Sequence, residues 1–322
     1  MTTSHVEEEL MRQRKFGKTG LIVSEIGMGT WELGGREWGD IGEKEAVDLL
    51  RYAFERGVTF YDTADQYGGG RAEHLLGEAF SALGNRVVIA TKLGYELDSD
   101  GWISQGGTVP AFNASPDYIR QAVEGSLTRL KKDAIDIYQF HAPPPAEAWD
   151  EAFGTMEKLK SEGKIRFYGL CLGNEEQALK AIAETGISSL MLTYNILNQD
   201  MAKPVMETAA EKGIAVVARQ PLSSGLLSGQ LNANTEFAEN DYRKTWPREK
   251  FLADLERVEK IKSVISDKAR SLPQAALKFI LAHPAVCCVI PGMMTPVQVK
   301  DGVATSGASP LPAAILEKLR EN

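Results

Sequence analysis

Four polar side chains in the first half of the sequence have the types and the spacing for acid–base chemistry. Asp62 is the first charged residue after an apolar run, Tyr67 follows it by five positions, and Lys92 and His141 end two later apolar runs. A phenol is a poor acid and base near neutrality, but a neighbouring ammonium lowers the phenol pKa, and a carboxylate can hold that ammonium in place. An imidazole can orient a carbonyl oxygen through a hydrogen bond. The four groups therefore suit proton transfer to a carbonyl, with hydride from a reduced nicotinamide because no side chain can supply it.

Each of these residues also has an explanation that involves no catalysis. Asp62 could cap a turn, and Tyr67 could be a packed loop aromatic. Lys92 could be a solvated charge at a strand end, and His141 could be a structural histidine. Catalysis by these residues therefore requires a fold that brings all four side chains together.

The apolar runs alternate along the chain with segments of helical period. Eight runs have the pattern of strands: SEIGMGT, VTFYDT, VVIATK, IDIYQFH, IRFYGLCL, SLMLTYN, IAVVARQPL and CCVIPGM. A β-hairpin is expected before them, and helices are expected over residues 43–56, 71–83, 116–131, 146–161, 175–184, 201–212, 248–268, 272–283 and 311–319. Strict alternation favours a parallel sheet covered by helices. Eight units, and no GxGxxG after the first strand, favour an α/β fold of the closed (β/α)8 kind, a TIM barrel, over an open doubly wound sheet.

A barrel would bring the four polar residues to one place. Consecutive parallel strands are neighbours, so the C-terminal ends of strands two, three and four should meet at one rim of the barrel. Two long loops, over residues 97–114 and 226–247, would leave the barrel from the same rim. Trp102 on the first loop is a candidate for the substrate pocket, although it could equally pack that loop against the barrel.

Composition and charge restrict the partners of the chain. Of its 322 residues 43% are hydrophobic, and the formal net charge is −8, so no basic surface for nucleic acid is expected. Cys171, Cys287 and Cys288 lie in apolar runs without metal-ligand spacing, which predicts buried, reduced cysteines and no metal site. The N-terminal MTTSHVEEEL lacks the pattern of a signal peptide, and no apolar run is long enough to span a membrane, so we expect a cytoplasmic protein. One domain is expected over residues 1–322, with a poorly ordered tail over 1–10.

The sequence resembles the aldo-keto reductase superfamily over nearly its whole length. The resemblance is carried by RKFGKTGLIVSEIGMGTW, FYDTADQYGGGRAEHLLGEAF, ATKLG, SPDYIRQAVEGSLTRL, IDIYQFHAP, PLSSGLLSG and LPQAALKFILAHPAVCCVIPG, in that order. It implies a (β/α)8 barrel that binds NADP(H), less often NAD(H), across its C-terminal face. It also implies that Asp62, Tyr67, Lys92 and His141 form a catalytic tetrad, with Tyr67 as general acid and base.

The resemblance also implies a cofactor site and part of a substrate pocket. Trp31 and His141 would line the substrate pocket. The positions expected to contact the cofactor are Thr30, Trp31, Asp62, Cys171, Arg219, Pro221, Leu222, Ser223, Gly225, Gly292 and Gln298.

Several of these positions depart from the family pattern. Cys171 and Leu172 stand where Ser-Asn often holds the carboxamide, and Arg219 stands where an aromatic often stacks on the nicotinamide. Residues 292–294, Gly-Met-Met, lack the Lys or Arg that many members use to bind the 2′-phosphate, and Gly302 replaces a common Asn. These departures therefore leave open whether the protein uses NADP(H), NAD(H) or both.

These residues and the resemblance are compatible with three functions. The leading hypothesis is an NAD(P)(H)-dependent oxidoreductase that interconverts an alcohol with an aldehyde, ketone or sugar by hydride transfer. The alternative is a cofactor-binding regulatory subunit, similar to the β subunits of voltage-gated potassium channels. A third possibility is a barrel isomerase or lyase that forms a Schiff base on Lys92.

Overall fold

An antiparallel hairpin fills the bottom of the barrel. The structure is a computed structural model, and it describes residues 11–35, 41–96, 111–171, 174–201, 204–239, 241–265 and 269–321. Strands β1 (Gln13–Lys15) and β2 (Ile22–Ser24) pair in antiparallel fashion, which confirms the predicted hairpin. The ring of Phe16 stacks on Phe60 inside the barrel, with ring centroids 5.6 Å apart. Gly17 has a φ of 55°, and a Cβ there would lie 2.8 Å from the backbone nitrogen of Ala215, so this tight approach requires glycine.

Eight parallel strands follow the hairpin and form the barrel. They are β3 (Met28–Gly29), β4 (Phe60–Asp62), β5 (Val88–Leu93), β6 (Ile135–Phe140), β7 (Ile165–Cys171), β8 (Ser189–Thr193), β9 (Ala215–Arg219) and β10 (Val286–Val289). Each strand pairs with the next one along the chain. The last strand returns to the first through the bridges Ile26 to Val289 and Gly29 to Gly292, which nearly close the sheet. The predicted (β/α)8 barrel is therefore confirmed.

Helices connect the strands and cover the outside of the barrel. In the described residues they are α1 (Glu43–Glu55), α2 (Arg71–Phe80), α3 (Pro116–Leu130), α4 (Trp149–Ser161), α5 (Glu175–Glu184), α6 (Pro204–Lys212), α7 (Arg248–Ile265), α8 (Leu272–Leu281), α9 (Pro296–Gly307) and α10 (Ala313–Arg320). Nine of them fall on predicted helices, and α9 was not predicted. The sequence TPVQ at its start is a capping signal. In the structure the backbone N–H of Gln298 donates to the Thr295 hydroxyl at 3.2 Å.

The barrel strands are buried on both faces, and this explains their apolar runs. Side chains that point inward, such as Val88, Ile137 and Val217, fill the barrel, while those that point outward pack under the helices. The three cysteines are free and buried. A strand filled in this way can place polar side chains only where the barrel core ends, and Asp62 is the last residue of β4.

Two further observations concern the chain as a whole. No helix in the described ranges is both long enough and apolar enough to cross a membrane. The predicted tail over residues 1–10 and Trp102 lie outside the described residues.

Candidate active site

Three of the four predicted side chains meet at a buried ammonium. The Lys92 Nζ lies 2.7 and 2.8 Å from the two carboxylate oxygens of Asp62, and it donates to the Tyr67 hydroxyl at 3.2 Å. A further hydrogen bond of 2.8 Å runs from Lys92 to the carbonyl of Thr63. The side chains of Lys92 and Asp62 are 1% and 4% exposed, so two opposite charges are buried together and compensate each other.

Adjacent strands and one tight turn hold these groups in place. The Thr63 amide donates to Ala90 and the Asp65 amide donates to Lys92, both on β5, so the chain leaving β4 runs across the end of β5. Gly68, directly after Tyr67, has a φ of 62°, and a Cβ there would overlap the carbonyl of Gly34 and lie 2.8 Å from its Cα. Only glycine allows this close approach, which locks Tyr67 at the rim of the barrel.

His141 completes the group at the end of β6. Its amide donates to Leu93 at 2.9 Å, and its ring meets the Tyr67 ring edge-on with centroids 5.7 Å apart. Burial, followed by the positive charges of Lys92 and Arg219, keeps the pKa of His141 well below its ordinary value. The imidazole is therefore neutral at physiological pH and can donate a hydrogen bond to a carbonyl oxygen without carrying a charge.

Gln66 is a site residue that the sequence interpretation missed. Its amide nitrogen lies 3.1 and 3.2 Å from the two ring nitrogens of His141. The position gave a signal, because Gln66 lies on the same short loop as Asp62 and Tyr67. The side chain is thus placed to hold the orientation of the imidazole.

The pKa of Tyr67 differs from the expectation that Lys92 would lower it. Burial raises the pKa of Tyr67 to about 12, the Lys92 ammonium acts downward as expected, and the Asp62 carboxylate acts upward again. Burial outweighs the ammonium because the carboxylate already neutralises it. Burial alone would lower the pKa of Lys92, but Asp62 and Tyr67 raise it above its ordinary value. At neutral pH the site therefore holds a protonated phenol beside a charged amine.

A cleft of about 480 Å³ opens from the tetrad toward the ends of β9, β10 and β3. Most predicted cofactor and substrate positions line it, namely Trp31, Asp62, His141, Arg219, Pro221, Leu222, Gly225, Gly292 and Gln298. Thr30 is buried beside the cleft, where its hydroxyl donates to the backbone carbonyl of Asp62 at 2.9 Å. Cys171 is fully buried in the barrel interior, and Ser223 lies in the backbone turn beside the cleft.

That backbone turn has an unusual conformation. Gln220, Ser223 and Ser224 have φ values of 53°, 47° and 54°, and Gly225 follows at 95°. Non-glycine residues rarely adopt this left-handed conformation, and such strain is concentrated at ligand sites. Arg243, from the second long loop, donates to the Ser224 carbonyl at 3.2 Å and forms an ion pair with Asp241. The turn and Arg243 together offer backbone and positive charge to an anionic group.

The second long loop covers the cleft from above. Its segment Tyr242–Thr245 forms a 3₁₀ turn, and the ring of Tyr242 contacts Trp31 with centroids 5.2 Å apart. Trp31 in turn stacks on Tyr67 at 6.2 Å. The loop predicted to rise at this rim therefore reaches across to Trp31, which lies two residues after the end of β3.

Glu32 is a second residue that the sequence interpretation missed. Its carboxylate occupies the space that a side chain at Gly292 would need, so Gly292 and Glu32 fit together only because one of them is glycine. The pKa of Glu32 is raised to about 7, mainly by burial and in smaller part by the Asp62 carboxylate, while a backbone hydrogen bond and Arg243 act in the opposite direction. The signal lay in GTWE, where an acidic residue directly follows the predicted pocket residue Trp31.

These residues fit a nicotinamide dinucleotide. The cleft begins at the proton donor, and its wall at Gly225 lacks a side chain, while the space beside Gly292 is taken by the Glu32 carboxylate. Arg219 and Arg243 bring positive charge for an anionic ligand. Gln298, predicted to contact the cofactor, accepts a 2.6 Å hydrogen bond from the Met294 amide and keeps its amide nitrogen for other partners.

Comparisons with known proteins agree with this fold. A model of the aldo/keto reductase family matches residues 25–321. The chain is 30% identical to the NADH-specific methylglyoxal reductase of Escherichia coli over 303 residues, covering 91% of this chain and 93% of that protein. Among solved structures, the holo form of aldo-keto reductase AKR11C1 from Bacillus halodurans superposes with a TM-score of 0.80 at 30% identity, covering 96% of both chains. The glycerol dehydrogenase AKR11B4 of Gluconobacter oxydans gives 0.83 at 25% identity, covering 98% of this chain and 95% of that one.

Proposed function

The chain belongs to the aldo/keto reductase family, and we propose that it reduces a small carbonyl compound with a nicotinamide cofactor and with Tyr67 as proton donor. The observation that carries the proposal is the Lys92 ammonium, which bridges Asp62 and Tyr67 at 2.7 to 3.2 Å where the cleft begins. A phenol, an ammonium and a neutral imidazole at one cleft are the groups that proton transfer to a carbonyl oxygen requires.

The side chains have separate tasks in this reaction. The neutral His141 hydrogen-bonds the carbonyl oxygen and orients it beside the Tyr67 hydroxyl. Tyr67 gives its proton to that oxygen, and the Lys92 ammonium stabilises the phenolate that remains until water returns the proton. A reduced nicotinamide held in the cleft that Arg219 and Gln298 line would supply the hydride for the carbonyl carbon. Because burial raises the pKa of Tyr67 to about 12, the phenol is protonated at neutral pH, which is the form that donates a proton in carbonyl reduction.

For the cofactor we propose that NADH is used at least as well as NADPH. The described cleft offers no lysine or arginine at residues 292–294, and the Glu32 carboxylate lies against Gly292. A carboxylate at that place disfavours an additional phosphate. The NADH specificity in the name of the Escherichia coli relative is consistent with this preference.

For the substrate we propose small polar carbonyls. The two relatives whose printed names state a substrate act on methylglyoxal and on glycerol. The cleft next to Tyr67 is bounded by Trp31, Gln66 and His141, which combine one aromatic wall with polar groups. Rates with methylglyoxal, glyceraldehyde and larger aldoses, each measured with NADH and NADPH, test both proposals.

Two other functions are less well supported. The similar proteins named above are enzymes, which does not favour a regulatory subunit. A Schiff base on Lys92 would need a neutral amine, whereas Asp62 and Tyr67 hold Lys92 as an ammonium. Cytoplasmic localisation stays a prediction.

Tyr67→Phe tests the proposed acid. We expect the turnover number to fall about 10³-fold, while the dissociation constant of the cofactor changes less than about twofold, because only the hydroxyl is lost. Tyr52→Phe, at a half-buried position of α1 that does not line the cleft, is the matched control and should keep full activity. Substantial turnover in Tyr67→Phe would show that another group donates the proton.

A further inference from the structure

Arg219 is a positive charge at the centre of the barrel mouth. It ends β9 and lines the cleft with Tyr67 and His141, and its Nε donates to the Thr193 hydroxyl at 3.2 Å. It lies close enough to Cys171, Tyr67 and Asp62 for the anionic forms of these groups, Cys171 first, to raise its pKa. Its positive charge also acts on His141. The guanidinium therefore faces the same space as the proton donor.

This charge has no carboxylate partner of its own. Among the residues that the structure describes, no Asp or Glu lies within ion-pair distance of Arg219. Asp62 is already committed to Lys92 at 2.7 Å. Tyr67 and His141 are neutral near pH 7, so Asp62, Lys92 and Arg219 together carry one positive charge, and Glu32, with a pKa of about 7, is only partly ionised at this pH.

The reacting ring of the cofactor has to lie next to this charge, and this step rests on the proposed function. In carbonyl reduction the proton goes to oxygen and the hydride goes to the carbon bonded to it, about 1.2 Å away. The Tyr67 hydroxyl has to approach that oxygen within about 3 Å, and the hydride donor has to approach the carbon within about 3.5 Å. The ring therefore lies within roughly 8 Å of the Tyr67 hydroxyl, in the part of the cleft that Arg219 lines.

We infer that Arg219 makes the site bind the reduced cofactor more tightly than the oxidised one. The nicotinamide ring carries a positive charge when oxidised and none when reduced, so the fixed guanidinium repels only the oxidised form. At an effective dielectric constant of about 20, two like charges about 7 Å apart repel strongly enough to change an affinity by more than tenfold. The consequence is rapid release of the oxidised cofactor after each reduction and weak inhibition by it.

The second arginine of the cleft provides a comparison. Arg243 forms an ion pair with Asp241 at 2.6 Å and contacts the strained turn at Ser224. Its charge is compensated locally, and it adjoins the backbone suited to an anionic group. A phosphate contact by Arg243 would strengthen the binding of both redox forms to the same extent, because both carry the same phosphates.

The test is a set of dissociation constants measured on the full chain. NADH and NAD⁺ are titrated by quenching of tryptophan fluorescence or by calorimetry, with NADPH and NADP⁺ as the second pair. We expect the wild-type protein to bind the reduced form at least about tenfold more tightly than the oxidised form. In Arg219→Gln this ratio should fall at least about fivefold, mainly through tighter binding of the oxidised cofactor. Arg219→Lys, which keeps the charge, should retain most of the ratio.

Arg243→Gln is the matched control, and we expect it to weaken the binding of the reduced and the oxidised cofactor equally.

Equally weakened binding of both cofactor forms in Arg219→Gln would overturn the inference and would assign Arg219 to a phosphate contact. If Arg219→Gln does not fold, the wild-type protein still tests the inference, because equal affinities of the wild-type protein for the reduced and the oxidised cofactor would also overturn the inference. Absence of any binding of either dinucleotide would instead refute the proposed function. Tight binding with a ratio that is insensitive to Arg219 would leave that function standing and refute only this inference.

Discussion

The two sides of the barrel mouth differ in how their charges are compensated. On the catalytic side, formed by the ends of β4, β5 and β6, Lys92 is balanced by Asp62 and both side chains are almost fully buried. On the cofactor side, formed by the ends of β9, β10 and β3, Arg219 has no carboxylate partner among the described residues, and the carboxyl of Glu32 lies against bare Gly292. The charges of the catalytic side thus compensate each other without a ligand, whereas the other side keeps a positive charge for the anionic cofactor that we propose binds there.

The backbone shows the same difference. The catalytic side is built from regular strand ends and from one glycine contact, between Gly68 and Gly34. The cofactor side is built from a turn in which Gln220, Ser223 and Ser224 all have positive φ. Such strain is stable only when surrounding contacts enforce it, and it is typical of segments that receive a ligand. The predicted tetrad thus lies on strand ends and one glycine turn, whereas the predicted cofactor positions include a turn in which non-glycine residues are strained.

The largest effects should come from breaking the ion pair of the catalytic side. Lys92→Met leaves the Asp62 carboxylate buried without a partner, so we expect a loss of about 3–5 kcal/mol in the free energy of unfolding and about 10³-fold in turnover. Arg219→Met on the cofactor side removes a charge without a carboxylate partner, and it should change stability by less than about 1 kcal/mol. Denaturant unfolding and steady-state rates measure both variants.

The double variant Asp62→Asn with Lys92→Met sharpens this test. It removes both charges, so stability should recover in part while turnover stays lost. If Lys92→Met and Arg219→Met cost the same stability, the two sides would not differ in charge compensation.

The backbone of the catalytic side can be tested at Gly68. Gly68→Ala places a Cβ against the Gly34 carbonyl and has to displace the loop that carries Tyr67, so we expect turnover to fall about 10²-fold. Gly84→Ala is the matched control, because Gly84 has a similar φ of 57° but nothing within 4 Å of the added Cβ. The control should lose only about 1 kcal/mol of stability and no activity. Full activity in Gly68→Ala would show that this contact does not position Tyr67.

The site could be predicted from the sequence where it follows strand ends. Asp62, Lys92 and His141 are the polar residues that end buried apolar strands, and a periodic pattern fixes where such strands end. Gln66 and Glu32 were missed because they lie in turns, where side-chain direction depends on tertiary contacts that no periodicity encodes. The eight strands were predicted for the same reason as Asp62, Lys92 and His141, whereas Tyr67, which lies in a turn, was predicted from its residue type and from the family resemblance.

The pKa of Tyr67 was predicted least well. The influence of Lys92 follows from residue types, but the burial that raises the pKa to about 12 depends on the packing of the whole rim. The helix α9 was missed although TPVQ carries a capping signal, because its run of residues lacks a clear apolar stripe. Local chemistry was thus predictable, and its environment was not.

The pH dependence of the two directions tests the environment of Tyr67. An acid has to be protonated, so carbonyl reduction at saturating substrate should be independent of pH from about 6 to 10, below the phenol pKa of about 12. Alcohol oxidation requires the phenolate, so its rate should rise about tenfold per pH unit over the same interval. Turnover numbers in both directions give the two profiles. A reduction rate that falls above about pH 8 would show that the phenol loses its proton far below 12.

The smallest effect should come from Glu32 on the cofactor side. With a pKa of about 7, Glu32 is neutral at lower pH and becomes a carboxylate as the pH rises through 7. The carboxylate would repel the phosphates of a cofactor bound beside Gly292. The dissociation constant of the cofactor should therefore increase about threefold to fivefold between pH 6 and 8 in the wild-type protein and stay constant in Glu32→Gln. At pH 8 the increase in affinity caused by Glu32→Gln should be larger for NADPH than for NADH, because NADPH carries the additional phosphate. Equal gains for the two cofactors would place the 2′-phosphate away from Gly292, and an unchanged pH dependence in Glu32→Gln would assign the titration to another group.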